Sequence, residues 1–77
     1  MDVTIVHGTA CFYGEHAAQL ATRIEDEFDV TVQRRTCRSA RFEVLLDGEI
    51  IARRDEGGWP DVAAVIDVIA QRERAQA

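Results

Sequence analysis

The sequence predicts an α/β (α+β) domain in the order β-α-β-β-β-α, a four-stranded mixed sheet with two helices. Three observations predict it. β-Branched, strand-like runs flank a segment whose apolar residues fall at helical spacing. An Asp-Gly pair, Asp47-Gly48, separates two further strand-like runs. A Gly-Gly break at 57–58 precedes a second helical stripe.

Residues 2–7 alternate Val3 and Ile5 against Thr4 and Val6, the pattern of a mostly buried strand that stops at Gly8. From Tyr13 to Phe28, the residues Ala17, Leu20, Ala21, Ile24 and Phe28 share one helical face, with Glu15, Gln19, Arg23 and Glu27 on the others. Val30 to Thr36 is β-branched and alternating again, so strand, helix and strand follow with short connections and the two strands pair in parallel. Asp47-Gly48 joins the runs Arg41–Leu46 and Glu49–Arg54 as an antiparallel hairpin, with a two-residue type I′ turn at positive φ. Trp59-Pro60-Asp61 opens the second helix, where Pro suits the first turn, and Val62, Val65, Ile66 and Ile69 form its stripe. The helix is expected to end near Arg72 and residues 73–77, which lack an apolar anchor, to fray.

A chain of 77 residues has room for a single core, so residues 1–77 form one domain. Fourteen acidic against nine basic residues give a net charge of −5, which disfavours nucleic acid and anionic lipid as partners. No apolar run approaches the length of a membrane span, and no targeting segment is visible. Two cysteines, Cys11 and Cys37, are too few for a disulfide framework, which points to the reducing cytoplasm. All nine basic residues are Arg. An acidic, Lys-free chain suits a halophilic, high-salt cytoplasm, and GC-rich coding produces the same replacement.

The run Phe42-Glu43-Val44, the turn Asp47-Gly48 and the segment Glu56-Gly57-Gly58-Trp59-Pro60 before a terminal helix resemble the selenoprotein W family and its prokaryotic relatives, the Rdx group. The resemblance covers nearly the whole chain and implies a thioredoxin-like fold. In that family the first strand leads into a Cys-x-x-Cys or Cys-x-x-selenocysteine loop. Here the loop reads Gly8-Thr9-Ala10-Cys11, with Gly8 in place of the first Cys. In such a loop one thiol resolves the mixed disulfide formed by the other, and Gly8 can do neither, so a two-Cys cycle within this loop is excluded. The resemblance implies thiol-disulfide exchange by Cys11 alone, with glutathione or a protein thiol or disulfide as partner and no cofactor.

The residues admit two readings at each place. Cys11, between a strand end and a helix start, is set to be a thiolate by unpaired helical N–H groups, or else is a small apolar plug. Cys37, flanked by Arg34, Arg35, Arg38 and Arg41, is a redox partner for Cys11 or an isolated loop residue on a solvated edge. His7 is a base or donor toward Cys11, or caps the strand. His7, Cys11, His16 and Cys37 match no common zinc spacing, so no metal site is expected. Phe12 and Tyr13 are surface candidates for docking a peptide, with Gly57, Gly58 and Trp59 as an adjoining contact platform, although Trp59 serves equally as core. The alternative function is a non-catalytic thioredoxin-like binding module that has lost its redox site. Oligomeric state is not specified by the sequence.

Overall fold

The computed structural model describes residues 1–10 and 12–76. Its elements are β1 (Val3–Gly8), α1 (Tyr13–Phe28), β2 (Val32–Cys37), β3 (Phe42–Leu46), β4 (Glu49–Arg53) and α2 (Val62–Gln76). The sheet order is β2-β1-β3-β4. β1 runs parallel to β2, from Val3 beside Val32 to Gly8 beside Cys37, and antiparallel to β3, from Val3 beside Leu46 to His7 beside Phe42. β3 and β4 are antiparallel, with a register shift between Val44 and Leu45.

Period-two alternation sends Val3 and Ile5 of β1, Val32 of β2, and Phe42, Val44 and Leu46 of β3 to one face. The apolar stripe of α1, Ala17, Leu20, Ala21 and Ile24, packs on that face, and α2 adds Val65 and Ile69 to the same core. Both helices cover one side of the sheet. Thr4, Val6, Glu43 and Leu45 lie on the opposite face and are half-buried.

The hairpin forms as its sequence requires. Asp47 and Gly48 take φ of 51° and 86°, the positive pair of a two-residue turn whose twist matches that of the strands. Asp47 also ties the turn to the chain start: its N–H donates to the Asp2 carbonyl at 2.8 Å, and its carboxylate accepts from the Asp2 N–H at 2.8 Å. α1 ends at Asp29, another acid at positive φ, whose N–H donates to the Glu25 carbonyl at 3.0 Å.

The second helix departs from expectation at both ends. It begins at Val62, beyond Pro60, and continues to Gln76, past Arg72. Residues 73–75 are exposed, yet Glu, Arg and Ala are all strong helix formers, so propensity extends the helix past Arg72.

Candidate functional site

The site gathers where β1 ends. Gly8 is buried, and its N–H donates to the Arg41 carbonyl at 2.7 Å, which draws the β2–β3 connection over the strand end. A Cβ at Gly8 would lie 2.4 Å from the Ser39 carbonyl oxygen and 3.4 Å from Tyr13 Cδ2. The first contact is with backbone, which does not swing aside as a side chain would. The space that a side chain at this position needs is therefore filled by residues 39–40. A cysteine restored at position 8 would have to displace that connection before joining a loop dithiol.

Cys37 stands directly beside Gly8 in the β1–β2 register. It is a free, half-buried thiol whose Sγ lies 3.5 Å from the Ser39 carbonyl oxygen and 3.6 Å from the Ser39 hydroxyl. Thr9 and Ala10 are exposed, and Ala10 accepts a hydrogen bond from the Tyr13 N–H at 3.3 Å. Cys11, expected as the reactive thiol, lies outside the described residues.

His7 is 8% exposed and faces the helix side of the sheet. Its Nδ1 lies 2.8 Å from the Gly8 carbonyl oxygen. A carbonyl only accepts, so Nδ1 carries the proton and holds the end of β1, in keeping with the strand-capping reading.

Phe12 and Tyr13 part company. Phe12 is 67% exposed and precedes α1 at φ 73° with no side-chain cap. Left-handed backbone costs a non-glycine residue about 1–2 kcal/mol, so an exposed aromatic ring is held here at a conformational penalty beside Cys11 in sequence. Tyr13, expected at the surface, is 7% exposed. As the first residue of α1 it turns its ring inward beneath Gly8 and meets Trp59 edge-on, with centroids 4.9 Å apart.

Trp59 is the hub of an aromatic cluster. His16 stacks on it at 3.7 Å with planes 10° apart, and the Phe42 ring stands perpendicular to it at 5.1 Å with planes 86° apart. The Arg54 guanidinium sits 5.1 Å from the Trp59 centroid and 5.7 Å from that of Tyr13, and donates to the Tyr13 hydroxyl at 3.2 Å. Gly57 and Gly58 form the turn that delivers this tryptophan: Asp55 and Gly58 exchange backbone hydrogen bonds, and the Gly57 N–H donates to the Asp55 carboxylate at 2.8 Å. The chain Gly8, Tyr13, Trp59, Arg54 thus links the end of β1 to the start of α2. Ser39, Arg54 and the stacking role of His16 escaped the sequence reading, because each depends on a partner far away in the chain.

A two-layer architecture with both helices on one face of a β2-β1-β3-β4 sheet, and a single cysteine in the sequence Gly8-Thr9-Ala10-Cys11 between β1 and α1, has the thioredoxin-like fold. The Rdx family model matches residues 2–71, and the chain belongs to the Rdx family. The crystal structure of a selenoprotein W-related protein from Vibrio cholerae is similar, with a TM-score of 0.82 and 22% identity over 91% of this chain and 92% of that one. Among curated proteins, none matches the chain. No helix of the described residues is long and apolar enough to cross a membrane.

Proposed function

We propose that this Rdx-family protein carries out thiol-disulfide exchange through Cys11 as a single attacking thiolate, with glutathione or a protein disulfide as partner, in a reducing cytoplasm. Cys11 holds the place of the second loop residue that is Cys or selenocysteine in the family, between the end of β1 and the start of α1. The Cys11 thiolate attacks one sulfur of the partner disulfide. That S–S bond breaks, a mixed disulfide with Cys11 forms, and the second sulfur leaves as a thiolate that takes a proton. Gly8 offers no sulfur to resolve the adduct, so an external thiolate attacks it and returns Cys11 to its reduced form.

The observation that carries this reading is membership of the Rdx family over residues 2–71 together with a cysteine, Cys11, between β1 and α1. With the Ser39 carbonyl 2.4 Å from where a Cβ at Gly8 would stand, no alternative side chain enters the loop unless the connection moves. Phe12 supports the reading as an exposed apolar contact for a partner next to the thiol in sequence. The filled space at Gly8 favours a second reading, a binding module whose redox site has been abandoned.

Alkylation separates the two. Iodoacetamide in limiting amount, followed by peptide mapping, is expected to label Cys11 much faster than Cys37 near neutral pH. Equal or slower labelling of Cys11 overturns the exchange reading in favour of the binding module.

A further inference from the structure

Among the described residues β2 is an edge strand, with β1 on one side and no strand on the other. Its residues Gln33, Arg34, Arg35 and Thr36 are all exposed, although successive side chains point to opposite faces. Between Asp29 and Glu43 the chain carries four arginines and no acidic residue, within a protein of net charge −5. The ion pairs of the described residues are Arg23 with Glu27, Arg41 with Glu43 and Arg72 with Glu49, so Arg34, Arg35 and Arg38 enter none of them.

The free edge already accepts a carboxylate at one point. The Val32 N–H donates to Glu25 Oε2 at 2.9 Å, satisfying the first N–H of the strand with an acid from α1. Along a strand, backbone groups alternate in direction, so the N–H and C=O groups of Arg34 and Thr36 face the same way as those of Val32. Two further backbone positions therefore present hydrogen-bonding groups along the edge, bordered by guanidinium groups.

We propose that this edge docks an extended acidic segment of a partner protein, which adds beside β2 as a further strand and sets its carboxylates against Arg34, Arg35 and Arg38. Backbone hydrogen bonds supply the pairing and the arginines select the charge. A second copy of the chain is disfavoured, since pairing β2 with itself would bring arginine rows together. Arginines on an edge also repel neutral or basic strands, which is the protective role such charges usually have. That role alone predicts no acidic ligand. The proposal does not depend on Cys11 chemistry and is measured on both the wild type and Cys11→Ser, so its failure leaves the exchange reading untouched.

The test is NMR titration of labelled protein with a short extended peptide built from Glu-Glu pairs separated by single Val residues, which presents carboxylates on both faces of the added strand. Amide shifts are expected within Val32–Cys37, with little change in β4, and equally in Cys11→Ser. Arg34→Glu combined with Arg35→Glu is expected to weaken binding by about tenfold or more while leaving the spectrum of the core intact. Methylating alternate peptide nitrogens on the pairing edge is expected to abolish binding, because it removes the strand hydrogen bonds without altering charge. Several outcomes overturn the proposal: no shifts at millimolar peptide, equal binding of the methylated peptide, or binding unchanged by the two Glu substitutions. So do stronger shifts with an oligo-dT strand, and β2 shifts produced by raising the protein concentration alone.

Discussion

Two glycines on the sheet are required for different reasons. Gly48 stands at φ 86° in the hairpin turn, with nothing within 4 Å of where a Cβ would be, so it is needed for backbone conformation and not for space. Gly8 is needed for space, since a Cβ there meets the Ser39 carbonyl at 2.4 Å. The first requirement is local and can be read in the pair Asp47-Gly48. The second arises from a connection thirty residues away in sequence and becomes visible only once β2 lies beside β1. Gly8 is therefore held by packing, because the Ser39 carbonyl occupies the space a side chain there would need.

Gly8→Val is expected to have the largest effect, a loss of about 3 kcal/mol in urea unfolding, because a branched side chain is forced against backbone. A wild-type-like midpoint would show that residues 39–40 move aside freely. Gly48→Val is expected to cost about 2 kcal/mol, whereas Gly48→Asn recovers most of that loss because Asn tolerates the left-handed region. Gly8→Asn should show no such recovery. Equal behaviour of the two Asn variants would erase the distinction between space and conformation.

Phe12 offers a third case, positive φ without a residue suited to it. Phe12→Gly is expected to stabilise the fold by about 0.5 to 1 kcal/mol, since relief of left-handed strain exceeds the added chain entropy. A loss of stability would mean that the exposed ring makes contacts important to the fold. The smallest expected effect is that of Arg54→Ala, about 0.5 kcal/mol, from removing a cation beside the Trp59 and Tyr13 rings. Tryptophan emission should shift in the same variant, and an unchanged spectrum would argue that the guanidinium does not rest on the ring in solution.

Where local rules act alone, the sequence was legible. The parallel β1–β2 pair, the Asp47-Gly48 turn and the α1 stripe follow from periodicity and turn chemistry, and all are present. Tyr13, ahead of the regular stripe, reads from sequence as solvent-facing, yet it is buried. Its burial comes from Gly8 on one side and Trp59 on the other, neither of them a neighbour in sequence. Apolar anchors place the end of α2 near Arg72, whereas helix propensity carries it to Gln76. The single cysteine between β1 and α1 is legible in the sequence, but the packing of Ser39 against Gly8 is not, since no local pattern marks a carbonyl contributed from a distant part of the chain.

The most direct test of the single-thiol account is intact-mass spectrometry of the wild type, Cys11→Ser and Cys37→Ser after incubation with glutathione disulfide. The account predicts one glutathione adduct on the wild type and on Cys37→Ser, none on Cys11→Ser, and persistence of the adduct until an external thiol is added. An adduct that maps to Cys37, or that is released spontaneously as an internal Cys11–Cys37 disulfide forms, would contradict it.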